Sequence, residues 1–304
     1  MNLSNRRKFL KTASLLTAGS YLLSPFELFA QATGESSLPA IAVAKNGTAA
    51  QVTRKAIELL GGMGAFVKKG YTVVVKPNIG WNRSPAHAAN TNPDVVTEVI
   101  KMCFEAGAEK VLVFDRTCND PKRCYENSGI QDAAEKAGAS VYHMVDAGFK
   151  DYEMPGNKYL KSWPLYEMAM DADCFINVPI AKHHGIAELT LGMKNLMGIQ
   201  GGNRGHIHWK IHQYLPELAA FVKPDLNIID ATRILLRHGP QGGDLNDVEK
   251  RDTVIASSFI GTADAYAATL FGKDPKEIGY IANSVEYGLG EIEVDKMDLK
   301  EVSI

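Results

Sequence analysis

The stretch Asp173-Cys174-Phe175-Ile176-Asn177-Val178-Pro179-Ile180-Ala181-Lys182-His183-His184-Gly185 passes from an apolar run straight into a basic cluster. The run Cys174 to Val178 reads as a strand buried on both faces, and Pro179, which brings no amide donor to a ladder, ends it. Lys182 and its neighbours then fall just past a strand's C-terminal end, the edge at which open α/β sheets hold their ligands. Leu191-Gly192-Met193-Lys194-Asn195-Leu196-Met197-Gly198 and Gly201-Gly202-Asn203-Arg204-Gly205-His206-Ile207-His208 follow, so that residues 173 to 212 hold five of the chain's eight histidines. A site is expected there.

Outward from this stretch the chain alternates strand and helix. Ala40 to Ala44, Tyr71 to Val75, Val111 to Phe114 and Ser140 to Val145 read as strands. Ala49 to Leu60 has apolar residues at helical spacing and stops at Gly61-Gly62. Asn92-Pro93-Asp94 combines an N-cap, a proline at the first helical position and an acid in the first turn, so a helix is expected from there to Glu105. Ile130 to Ala137 is a further helix, and residues 147 to 162 break the alternation with turn-forming residues that suggest a hairpin. After the basic stretch, a helix is expected over Ile207 to Val222, a strand over Leu226 to Ile229 and a strand over Thr253 to Ser258. A helix over Thr262 to Leu270 and an edge strand beyond Gly288 complete the pattern. These spacings predict an α/β fold, a mostly parallel doubly wound sheet with helices on both faces, as one domain over residues 33–304.

The 304 residues are 45% hydrophobic and 22% charged, which is ordinary globular composition, and a formal net charge of −2 gives no basic field for nucleic acid. Residues 1–32 are of another kind. Asn5-Arg6-Arg7-Lys8-Phe9-Leu10-Lys11 reads as the twin-arginine start of a signal peptide, followed by an apolar Leu15 to Leu23 and a small-residue cleavage site near Ala30-Gln31-Ala32. The twin-arginine export machinery is thus an expected partner, and a periplasmic or otherwise exported location is expected. The apolar part is short and broken by Gly19, Ser20, Ser24 and Pro25, so no stable membrane span is expected after cleavage. Cleavage would remove a net three positive charges and take the chain from −2 to −5. Of four cysteines, Cys103 and Cys174 sit in apolar patterns, whereas Cys118 and Cys124 flank a turn-forming loop and are candidates for a disulfide.

Polar residues close four strands: Lys76 and Asn78, Asp115, Asn177 with Lys182, and Asp230 with Arg233. Parallel strands would gather these at one crevice, although strand-end polar residues also serve to cap helices and turn corners. Lys76, Lys182 and Lys194 would make the crevice electropositive and suited to a carboxylate or phosphate, helped by the amides of Gly192, Gly201 and Gly202. Alternatively, one lysine crowded by other cations gives up its proton and becomes a base or nucleophile, or the lysines are salt-bridged to Asp115 and Asp230. His208 and His212 are four apart and share a face if both are helical, with His206, His183 or His184 as a third ligand for a divalent metal. The glutamate of a zinc protease motif is absent, and histidines at this spacing also cap, pack or bind anions.

Val74-Val75-Lys76-Pro77-Asn78, Asn92-Pro93-Asp94-Val95-Val96 with Ala106-Gly107-Ala108, and Asn177-Val178-Pro179 with Lys182, His184 and Gly185 form a recognisable set. Together with Leu191 to Gly198 and Gly239-Pro240 they resemble the domain-of-unknown-function family 362 over roughly residues 40–270. Members of that family often carry ferredoxin-like cysteine runs. This chain has none, so no iron–sulfur cluster is expected.

The expectation is an exported enzyme for a small anionic ligand. Lys182 and Lys194 would hold charge, His184 or His206 would move protons, and Asp115 or Asp230 would orient them, with Lys76, Asn78, Asn177, Asn195 and Arg233 lining the ligand. The alternative is a non-catalytic exported protein that binds a metal or cofactor for a redox partner.

Overall fold

The computed structural model describes residues 39–304, and the twin-arginine segment lies outside the described residues. The strands are β1 Ile41–Lys45, β2 Thr72–Pro77, β3 Lys110–Val113, β4 Ser140–Val141, β5 Phe149–Glu153, β6 Ser162–Tyr166, β7 Cys174–Val178, β8 Ile180–His184, β9 Glu188–Thr190, β10 Leu226–Leu235, β11 Val248–Ser257 and β12 Leu299–Ser303. The helices are α1 Ala49–Leu59, α2 Pro93–Glu105, α3 Pro121–Asn127, α4 Ile130–Lys136, α5 Glu167–Asp171, α6 Gly192–Asn195, α7 Ile211–Val222, α8 Ile260–Thr269 and α9 Gly279–Ser284.

The main sheet runs β12-β1-β11-β10-β7-β2-β3-β4. From β10 to β4 all neighbours are parallel, while β11 is antiparallel to both β1 and β10. The sheet is therefore mostly parallel with an antiparallel insertion toward one edge, an α/β architecture. Alternation along the strands sends Val73, Val75, Cys174 and Ile176 to one face, in the core shared with Val52, Val95 and Ile130 of α1, α2 and α4. Val74, Phe175, Ile229 and Ile255 go to the other, against Leu215 of α7, Ala263 of α8 and Ile281 of α9. Both faces are covered, which is why β2 and β7 are apolar without interruption.

Local chemistry places the helices. Thr48 and Gln51 form a reciprocal capping box at the start of α1, and Asn92 accepts from the Asp94 amide at the start of α2, with Pro93 in the first turn. The expected hairpin is the separate two-stranded sheet β5-β6. Among the described residues no helix is long and apolar enough to cross a membrane.

Several boundaries differ from expectation for identifiable reasons. Pro179 interrupts β7 but does not end extended chain: its carbonyl accepts from the Asp230 amide at 2.8 Å, and β8 resumes alongside β10. Lys182 thus lies on a strand. β10 continues to Leu235 because it finds an antiparallel partner in β11, so Asp230 and Arg233 are mid-strand residues. α7 begins only at Ile211, because residues 204–210 wind as a 3₁₀ segment. His208 and His212 therefore do not share an α-helical face. The candidate disulfide is not formed: Cys124 is buried in α3 with its Sγ on the Gly80 carbonyl, whereas Cys118 is exposed in the bend before that helix.

Candidate functional site

Parallel register sets Lys76 of β2 beside Asn177 of β7 at the C-terminal edge of the sheet, with Asp115 just past β3 on the other side of β2. A cavity of about 420 Å³ opens above that edge, within the size range of small-molecule sites. Its lining includes Asn78, Asp115, Lys182, His184, Lys194 and Asn195 from the expected set.

Each lysine here has a different set of acceptors. Lys76 is fully buried; its Nζ lies 2.7 Å from Asp115 Oδ1 and donates to the Pro77 carbonyl and to Asn195 Oδ1, both at 2.9 Å. Burial lowers its pKa and the Asp115 carboxylate opposes that shift. The other Asp115 oxygen accepts from the Ile79 amide at 2.7 Å. Asp115 is thus occupied by Lys76. The salt-bridge expectation holds for this pair and not for Lys182 or Lys194.

Lys182, 1% exposed, donates to Asn78 Oδ1 at 3.0 Å and to the Ala89 carbonyl. Both acceptors are neutral. Burial, with Lys194 and Lys76 nearby adding to it, lowers its pKa to about 7. Lys194 contacts Met197 Sδ at 3.3 Å and His208 Nε2 at 3.2 Å, and burial lowers it to about 8.

The two histidines of the pocket are held in defined tautomers. His184 ends β8, and its Nδ1 accepts from the amides of Ile186 and Ala187 in the turn into β9, at 3.1 and 3.2 Å. The ring proton therefore sits on Nε2. Burial, then the neighbouring Lys194, pushes its pKa far down. It is a fixed donor, not the proton carrier that was expected. His208 shows the opposite arrangement: Nδ1 donates to the Gly205 carbonyl at 3.1 Å, leaving the Nε2 lone pair for Lys194. Lys194 Nζ and His208 Nε2 are thus hydrogen-bonded across the pocket wall, with the imidazole lone pair as acceptor.

Behind the cavity, side-chain amides form an oriented row. Asn78 Nδ2 donates to Asn195 Oδ1, Asn195 Nδ2 to Asn177 Oδ1, Asn177 Nδ2 to Asn227 Oδ1, and Asn227 Nδ2 to the Ser257 carbonyl. The row presents its oxygen end, Asn78 Oδ1, to Lys182. Asn177 is thus fully buried support and not a lining residue. Asp264 of α8 accepts from the amides of Gly192 and Met193 at 2.6 and 2.9 Å, which anchors α6 and Lys194 with it. Burial raises the Asp264 pKa to about 7 against the effect of these amides.

Other expected residues lie elsewhere. Asp230 accepts from the Asn92 amide and from Thr232, and Arg233 lines a separate cleft with Thr48 and Lys250. Neither reaches the cavity, because β10 carries them past the sheet edge as part of a ladder. Gly192, Gly201 and Gly202 do not line it either; Gly192 spends its amide on Asp264. His206 stacks on Trp209 and meets Asn203, while His212 lies against Tyr280, so the three histidines suggested for metal diverge. Among the described residues no group of three His, Cys, Asp or Glu is placed to hold a metal ion.

Residues not singled out as ligands complete the wall. Arg204 donates to the carbonyls of Arg116 and Thr117 at 2.7 Å and lies 3.3 Å from Cys118 Sγ, and Arg116 donates to the Gln200 and Gly202 carbonyls. Both line the cavity, with Trp81, Cys118 and Thr190. Thr190 Oγ1 is buried without a hydrogen-bond partner among the described residues. The Gly-Gly-Asn-Arg204-Gly turn was the available signal for Arg204; nothing local marks Thr190, Asn227 or Asp264.

A family model described as Domain of unknown function (DUF362) matches residues 73–269. A relative described as a thylakoid-associated protein from a Synechocystis species is 28% identical over 244 residues, covering 78% of this chain and 74% of the relative. Among solved structures, the lactate racemase apoprotein from Thermoanaerobacterium thermosaccharolyticum is similar with a TM-score of 0.47 at 14% identity, over 78% of this chain and 57% of that one. A Thermotoga maritima protein is similar with a TM-score of 0.43 at 10% identity, over 74% and 59%.

Proposed function

This chain belongs to the DUF362 family, and we propose that it is an exported enzyme acting on a small carboxylate or phosphate in the cavity at the sheet's C-terminal edge. One observation carries the reading: Lys182, Lys194, Arg116 and Arg204 surround a cavity whose one lining carboxylate among the described residues, Asp115, is committed to Lys76. In this low-dielectric setting Lys194, Arg116 and Arg204, joined by Lys182 where it is protonated below about pH 7, are strong anion hosts. Thr190 Oγ1 and the His184 Nε2–H add donors, and Lys194 with His208 supplies a group able to give and take a proton near neutral pH. Export rests on the Arg6-Arg7 segment, and the thylakoid-associated relative supports a place at or beyond a membrane.

The test is the Lys182→Met, Lys194→Met double variant, which keeps most of each apolar stem. Phosphate or citrate should raise the melting temperature of the wild type and leave that of the variant nearly unchanged. A lost charge-assisted contact costs about 1.5–3 kcal/mol, more than tenfold in affinity. An equal anion response in both proteins would sink the reading.

A further inference from the structure

The acceptors around Lys182 define more than a charge. An ammonium has three N–H donors, and Lys76 has three oxygen partners, one of them a carboxylate. A neutral amine has two N–H donors and a lone pair, and the two acceptors on Lys182, Asn78 Oδ1 and the Ala89 carbonyl, take two donors. The remaining tetrahedral position of Nζ is left for the cavity that Lys182 lines. From this geometry we infer that Lys182 is an amine nucleophile that condenses with the carbonyl carbon of a small oxo-carboxylate to form a Schiff base. The inference rests on the reading of the cavity as an anion site and names its substrate class.

The surroundings suit each part of that step. Desolvation beside other cations is the arrangement that frees a lysine lone pair, and Lys182 titrates near 7 in this setting. The third donor of Lys194 and the field of Arg204 are placed for the substrate carboxylate. The Lys182 lone pair attacks the carbonyl carbon, a C–N bond forms, and the carbonyl π electrons move to oxygen. His184 Nε2–H is a donor for that developing oxyanion. Both hydrogens of Nζ pass to the oxygen, the Lys194–His208 pair relaying them, and the C–O bond breaks to release water. The products are the imine and water, with no change of oxidation state. The Lys194–His208 pair then returns one proton to the imine nitrogen, and this N–H is available to Asn78 or Ala89.

The experiment treats the full chain with glyoxylate, pyruvate or 2-oxoglutarate and sodium cyanoborohydride, and maps the reduced adduct by peptide mass spectrometry. The expected result is an adduct on Lys182 in preference to the exposed lysines, suppressed by citrate and increasing as pH rises through about 7. Lys182→Arg should lose that adduct, and citrate competition in the wild type serves the same purpose if the variant does not fold. Thermal stabilisation by the same acids, measured without hydride, separates the two levels. Stabilisation without a Lys182 adduct for any of the three acids overturns the inference and leaves the anion site standing. Neither stabilisation nor adduct overturns both.

Discussion

A lysine in a low-dielectric interior holds its proton only as firmly as its acceptors allow, and desolvation works against it at every pH. Lys182 titrates near 7 and Lys194 near 8 in the folded chain, against an ordinary value of 10.5. Below its folded value each is protonated in both states and the cost of its burial is fully felt. Between the folded value and 10.5 the unfolded chain binds the proton and the folded chain does not, so stability rises with pH across that window. Wild-type melting temperature should therefore climb between about pH 7 and pH 10 more than that of Lys182→Met, and the Lys182→Met, Lys194→Met double variant should be flatter still. Parallel curves for all three would contradict the depressed values. Asn78 and Asp115 were legible in the sequence because strand ends announce themselves, and Lys182, Lys194 and Asn195 because they fall in the basic, glycine-rich stretch that follows β7. His184 was legible as a site residue but not in its role, since its tautomer depends on the two turn amides that bond to Nδ1.

At the scale of the element, the turn from α6 into residues 196–199 brings backbone against the Lys76–Asp115 pair. A Cβ at Gly198 would stand 1.8 Å from Asp115 Oδ1 and 2.5 Å from Lys76 Nζ. Gly198→Ala should thus separate a buried pair, a change that typically costs about 3–5 kcal/mol when one partner is lost. Urea denaturation should show a loss of several kcal/mol; a change within about 0.5 kcal/mol, as at ordinary surface sites, would mean the segment can move aside freely. Local signals were enough for α2, whose cap and proline are contiguous. They failed for β8 and for the second half of β10, whose extended conformation is imposed by neighbours distant in sequence. That is how Asp230 and Arg233 were assigned to the sheet edge when ladder pairing to β11 continues past them.

Across the whole molecule, the alternation of strands and helices was legible as α/β, but the order of the strands was not. The antiparallel β11 between β1 and β10 depends on long-range pairing that no local pattern encodes. Arg116, Arg204 and Thr190 escaped notice for the same reason: three separate segments deliver them to one cavity. The export reading belongs at this scale as well. Replacing Arg6 and Arg7 with lysines preserves charge while removing the arginine pair that the twin-arginine receptor reads. Cell fractionation should find that variant retained in the cytoplasm, and undiminished export would reject the assignment.

The row of asparagines also sets a clock. Asn177 and Asn227 are fully buried and Asn195 nearly so, and their amide hydrogens are engaged in one unbroken series ending on the Ser257 carbonyl of β11. Water can replace the Asn177 and Asn227 hydrogens with deuterium only when the sheet edge parts, so their exchange times the opening of β7 against β10. In deuterium-exchange NMR these side-chain amides should persist as long as the backbone amides of β7, whereas Asn203, on the exposed turn, should exchange at once. Rapid loss of the Asn177 signal in an otherwise protected β7 would show that solvent reaches the floor of the cavity without the sheet opening.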